Sequence, residues 1–286
     1  MSTSDENGVP GILLHLSGPL QSWGEISRFP AQRDTAAAPT RSGLIGLVAS
    51  ALGYRRDDAR LAELSALRFT VRTDRPGTLL RDLHTVGGGM PRHLTVATAE
   101  GKHRSGDTST LVSHRYYLQD AAFTAAITSD NTDLLRRCAA ALRRPTWPPY
   151  LGRRSCPPSA PFFLGTARDS LHHLVNLPLA RRRQAKGAAR TDTVAVDYTA
   201  DAPLAALLRA VTEEAPQPDW LPAPQDSVTQ AHDDPLSFAS LDRRYRARQR
   251  HHTTVHLPAS RCAGLGTAYL EHLITYFDSN PPQDLP

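Results

Sequence analysis

The segment Pro145-Thr-Trp-Pro-Pro-Tyr-Leu-Gly-Arg-Arg-Ser-Cys-Pro157 constrains this chain more than any other stretch. Proline restricts φ and removes a backbone donor. Prolines at 145, 148, 149 and 157 therefore exclude an ordinary helix or a central strand here. The segment reads as a stiff, exposed turn. No acidic residue occurs between Arg136 and Arg168, so Arg153 and Arg154 are presented from a constrained backbone without a local counter-charge. Guanidinium forks grip phosphate oxygens, and phosphate is the group such a surface suits.

The wider composition agrees with a polyanion partner without proving one. Net charge is +5, and of the 33 basic residues only Lys102 and Lys186 are lysine. GC-rich codon usage accounts for an arginine bias as readily as phosphate binding does. Cys138, Cys156 and Cys262 form no CxxC pair, so neither a disulfide framework nor a zinc site is expected. Met1 to Pro10 is polar and acidic, unlike a signal peptide, and no apolar run approaches the roughly 20 residues of a membrane span. A cytoplasmic protein without a cofactor is expected.

Along the chain, residues 1–11 are expected to be disordered. Ile12–Leu16 reads as a strand, and Ser17–Gly24 as a turn. Ser42 is placed to cap a helix whose stripe is Leu44, Leu47, Val48, Ala51 and Leu52, with Gly53 at its end. Leu67–Thr73 alternates as a strand. Residues 82–114 have few large apolar groups and a glycine-rich start at Gly87-Gly-Gly89. They read as an excursion, with a hairpin between Leu94–Thr98 and Thr110–Ser113. Arg115–Thr128 reads as one strand, Asn131 or Thr132 caps a second helix, and Pro161–Thr166 closes a βαββαβ pattern. That order predicts an α+β, ferredoxin-like (RRM-like) domain over 12–170 with an inserted β-hairpin thumb. A smaller, β-rich C-terminal region is expected over 171–258, with loop at 215–235 and a strand at Thr253–Leu257. The extension 259–286 holds one more helix.

Binding of single-stranded RNA needs arginines and helix N-termini for phosphates and aromatics for bases. Arg41 and Ser42 open the first helix, and Arg153 and Arg154 stand beside Trp147 and Tyr150. Trp23, in a glycine-bounded turn, is placed either to stack a base or to pack under its prolines. His84, Arg115 and Tyr116 lie in or beside the excursion. The histidine pairs His172-His173 and His251-His252 are not at chelating spacing, so no metal is expected. Metal-independent cleavage of RNA needs a base, a proton donor and a cation, and His84, Tyr116 or Tyr117, and Lys102 or Arg115 are of the right types.

Four blocks in consistent order carry a resemblance: Leu14-His-Leu-Ser-Gly-Pro-Leu-Gln-Ser-Trp-Gly24, Pro39-Thr-Arg-Ser-Gly-Leu-Ile-Gly46, Leu80-Arg-Asp-Leu-His-Thr-Val86 and Pro149-Tyr-Leu-Gly-Arg-Arg-Ser-Cys-Pro157. Together they resemble the CasD family, the Cas-five-type RAMP subunit of the type I-E CRISPR complex Cascade. The resemblance implies a ferredoxin-like domain with a thumb. It implies binding of the 5′ handle of CRISPR RNA and contacts with the backbone subunit and the large PAM-reading subunit, so that target DNA is met through the complex. It implies no catalysis in this subtype. A relative in another subtype cuts RNA, and metal-independent processing of CRISPR repeat RNA is the alternative.

Overall fold

The computed structural model describes residues 8–24, 31–95, 101–103, 109–183, 192–217, 221–239 and 242–286. Strand β1 (Gly11–Ser17) is buried along nearly its whole length. Ile12, Leu14 and Leu16 face one core and Leu13 the other, which explains the unbroken apolar run. Residues 8–11 correct part of the disorder expected at the N-terminus. Gly11 begins β1, and Ser170 donates its N–H and hydroxyl to Val9 O.

Seven strands form one antiparallel sheet. β1 lies between β7 (Ala122–Thr128) and β8 (Phe163–Ala167). Outward from β7 come β4 (Arg68–Arg75), β9 (Thr193–Ala200), β11 (Arg244–Pro258) and β10 (Ser227–Ser237). Helices α1 (Arg41–Ala51) and α2 (Thr132–Arg143) cover one face. Helices α3 (Ser170–Asn176), α4 (Ala205–Glu214) and α5 (Thr267–Ser279) cover the other. The sheet is continuous across residue 170. Strand β10 corrects the expected loop at 215–235. Its sequence is mostly polar and gives no apolar alternation, and pairing with β11 holds it in place.

A second sheet stands off the first. Its main pair is β5 (Thr78–Val86) with β6 (Leu111–Gln119), joined edgewise on β6 by β2 (Leu20–Gln21) and β3 (Gln32–Arg33). The expected single strand 115–128 is broken at Asp120, which adopts φ +57°. The hairpin root is Gly77, not Gly87-Gly-Gly89. A Cβ at Gly77, whose φ is +75°, would lie 2.6 Å from Gln119 O. The expected hairpin strand at Leu94–Thr98 is also corrected. Arg92–Leu94 is a 3-10 turn, and 96–98 lie outside the described residues.

One buried ion cluster ties the C-terminal strands to α1. The Arg41 guanidinium donates to Asp234 Oδ1 at 2.8 Å, to Leu67 O at 2.8 Å, to Ser65 O at 2.9 Å and to Asp201. Its backbone N–H donates to Asp233 Oδ2 at 2.7 Å. Arg246 pairs with Asp234 at 2.6 Å, and Arg248 pairs with Asp233 at 2.7 Å and Asp201 at 3.0 Å. Burial alone would lower the pKa of Arg41; Asp201 and Asp234 outweigh it and hold the pKa above the ordinary arginine value. Arg41 is thus committed to the fold, contrary to its expected place on a phosphate surface.

Removing one partner of such a cluster leaves uncompensated buried charge. Arg41→Ala should cost about 3–5 kcal/mol in urea denaturation. Arg68→Ala, which breaks an exposed pair with Asp130, should cost about 1 kcal/mol or less.

His15 is buried with its ring stacked on Tyr269 at 4.8 Å. Burial holds its pKa down to about 4, from an ordinary 6.5. The folded state therefore prefers the neutral ring. The stability this contributes is complete above pH 6.5 and is lost as pH falls from 6.5 through 4. The loss should reach about 3 kcal/mol in denaturation series across that window. A His15→Phe chain should lack that part of the loss.

Candidate nucleic-acid interface

One face of α1 is built from small residues: Ser42, Gly43, Gly46, Ala49 and Ser50. They form the floor of a groove of about 1480 Å³. Thr40, rather than Ser42, caps the helix, accepting from Gly43 N at 3.3 Å. The anion at this helix start is the protein's own Asp233.

One wall is the proline-arginine turn. Thr146 N donates to Ala51 O at 2.9 Å, which pins the turn to the end of α1. Leu151 N donates to Cys156 O at 2.7 Å and Cys156 N to Arg153 O at 2.9 Å, closing the tip. Gly152 has φ +80°, and a Cβ there would sit 1.7 Å from Ser22 O, so only glycine fits. These bonds add to the backbone constraint that the prolines impose on this segment.

The turn delivers Arg153 and Arg154 to the groove. Arg153 donates from Nη2 to Arg33 O at 3.0 Å and Asp34 O at 3.3 Å, and its Cζ lies 4.7 Å over the Tyr117 ring. Its Nη1 is buried without a partner, as is Arg115 Nε on β6. Among the described residues, seven arginines line the groove (33, 55, 56, 115, 153, 154 and 243), against a single acid, Asp34. None of the seven forms an ion pair among the described residues. Like charges facing one cleft repel, and an anion relieves that cost.

The structure gathers Ser42, Arg115, Tyr150, Arg153 and Arg154 at this groove as expected sites. It does not gather the rest. Trp23 borders the floor but is fully buried; its indole N–H donates to Gln21 Oε1 at 3.0 Å, and its ring has no free face for a base. Its packing role follows from Gly43, where a Cβ would lie 2.8 Å from Trp23 Cε3. His84 lies farther along the hairpin, its Nε2 2.6 Å from Asp82 Oδ2 and 3.4 Å from the Tyr117 hydroxyl. Tyr116 points to the opposite side of β6, its hydroxyl accepting from Gln32 at 3.4 Å. Arg33, Arg55, Arg56, Phe238, Arg243 and Tyr245 also line the groove and were not among the expected sites. They come from separate segments, and only the adjacent pair Arg55-Arg56 and the basic run from Arg243 to Arg250, which also reads as a solvated charged face, gave a local signal.

A sequence model described as CRISPR-associated protein (Cas_Cas5) matches residues 11–251. The chain belongs to that family. The match takes in every element of the groove and ends before α5. The chain is 39% identical over 171 residues to CRISPR system Cascade subunit CasD of Escherichia coli (strain K12), covering 56% of this chain and 72% of that protein. It is similar to a chain of a CRISPR RNA-guided surveillance complex at 42% identity and a TM-score of 0.74, covering 94% of this chain and 99% of that one. A crystal structure of a Cas protein aligns at 28% identity and a TM-score of 0.55, covering 90% and 99%. The CasD resemblance read from the four sequence blocks agrees with these findings. Among the described residues, no helix is long and apolar enough to cross a membrane, and no group of three or more His, Cys, Asp or Glu side chains could hold a metal ion.

The floor of the groove separates two glycines by their surroundings. Nothing lies within 4 Å of a Cβ built on Gly46. Gly46→Ala should therefore stabilise the Cas5-family chain by about 0.5–1 kcal/mol, the helical preference for alanine. Gly43→Ala should destabilise it, because Trp23 blocks the added methyl. Thermal denaturation of both variants checks this.

Proposed function

We propose that this chain is the Cascade subunit that holds and caps the 5′ handle of CRISPR RNA in the arginine groove, without cutting it. The observation that carries this reading is the groove itself: seven arginines, none ion-paired among the described residues, face one acid across a floor of small side chains. Unpaired guanidiniums and exposed aromatic rings suit a splayed single strand. The relatives, a Cascade subunit and a chain of a CRISPR RNA-guided surveillance complex, supply the setting. The strand order β4-β7-β1-β8, with α1 and α2 as the crossovers, supports the reading of a ferredoxin-like unit.

The β5–β6 hairpin is read as the thumb. Leu79, Leu83 and Val112 share one face by register and are 61%, 58% and 49% exposed. An apolar face of this kind suits protein neighbours, here the adjacent backbone subunit and the large PAM-reading subunit. The endoribonuclease alternative would place its base at His84. That side chain is engaged by Asp82 and Tyr117 and does not line the groove, so binding is the reading we adopt.

Arg153→Ala with Arg154→Ala should weaken binding of repeat RNA and flatten its log–log salt dependence by about 0.7 for each phosphate no longer neutralised. Anisotropy titrations over a salt series measure this, and an unchanged slope would remove both arginines from the site. Trimming residues 90–108 should leave a folded chain that fails to join the complex in co-purification. Normal assembly would end the thumb's role. Cleavage of repeat RNA without metal, abolished by His84→Ala, would replace the binding reading with the enzymatic one.

A further inference from the structure

The groove does not end at the proline-arginine turn. Arg55 and Arg56 follow the cap of α1 after Gly53 and Tyr54, and Phe238, Arg243 and Tyr245 reach the same cleft from the β10–β11 ribbon. Arg55, Arg56 and Arg243 are exposed and form no ion pair among the described residues. Their neighbours on the ribbon differ: Arg244 pairs with Asp242 at 3.0 Å, Arg246 with Asp234 at 2.6 Å and Arg248 with Asp233 at 2.7 Å. The ribbon therefore neutralises the arginines that hold it in place and leaves Arg243 unmatched in the groove. Two large rings are open beside these cations, Trp147 at 41% and Tyr245 at 38% exposure.

The cleft is larger than a small ligand requires. About 1480 Å³ exceeds the roughly 300–1,000 Å³ of small-molecule sites. Exposed rings interleaved with guanidiniums match alternating bases and phosphates better than they match a run of carboxylates. We propose that Arg55, Arg56 and Arg243, with Trp147 and Tyr245 as stacking platforms, form a second single-strand RNA subsite. In this inference, which rests on the binding reading above, the strand crosses the α1 floor at Gly46 to reach the second subsite. Gly46 is where the floor has open space above it. The ion cluster of Asp233 and Asp234 then has a functional consequence, because it holds the ribbon that supplies the far wall.

The test uses the full chain and single-stranded RNA oligomers from about four to about twelve nucleotides, the span of common single-strand sites. The triple variant Arg55→Ala, Arg56→Ala, Arg243→Ala should flatten the salt slope for the long oligomer by about 2, at about 0.7 per phosphate, and by less for the shortest oligomer, which spans fewer phosphates. Tyr245→Ala should weaken the long oligomer about tenfold with an unchanged slope. Gly46→Leu should reduce long-oligomer binding to that of the short one. Unchanged thermal midpoints serve as the folding control. A triple variant with the parent's slope on the long oligomer overturns the second subsite while leaving the first intact. A parent chain that binds no RNA of any length sinks both. Displacement of the long oligomer by polyglutamate as efficiently as by RNA, with Tyr245→Ala indifferent, would make the far wall a dock for an acidic protein segment and likewise overturn the proposal.

Discussion

The floor of the groove and the ribbon at its far wall depend on the buried meeting of Arg41 with Asp201, Asp233 and Asp234. Three carboxylates from β10 and the end of the β9 region converge with Arg41, Arg246 and Arg248. Charges balance within the cluster, so its desolvation is offset by close pairing and by backbone carbonyls from Ser65 and Leu67. The cluster fixes the start of α1 and, through it, the floor of the cleft. It also brings a sequence-distant ribbon against the same helix.

The second constraint is close backbone approach. Gly152 against Ser22 and the tie from Thr146 to Ala51 place the proline-arginine turn on the α1 side of the sheet. Trp23 fills the space below Gly43. Arg153 is anchored in the same place, its guanidinium bonded to two carbonyls and set over the Tyr117 ring. Such preorganisation would lower the ordering cost of binding the proposed RNA.

The C-terminal residues beyond the family match complete the fold. Tyr276 shares a 2.8 Å hydrogen bond with His173 Nδ1, Tyr269 stacks on His15, and Gln283 N donates to Thr166 O at 2.9 Å. The tail thus runs along β8, the strand at one edge of the sheet, and covers backbone groups that an edge leaves open. No local pattern in 259–286 told of this, because the partners lie more than a hundred residues away.

Local chemistry was legible in the sequence. Periodicity marked α1 and α2, the cap of α2 was narrowed to Asn131 or Thr132, the Gly53 end was readable, and prolines marked the turn with its two arginines. These features depend on backbone geometry within a few residues. Only the tertiary structure decided the fates of Trp23 and Arg41, the break at Asp120, the strand nature of β10 and the joining of Arg55, Arg56 and Arg243 to one cleft. The reason is physical: burial, charge pairing and edge hydrogen bonding are set by what packs against a residue. For these residues the decisive neighbours are mostly remote in the chain.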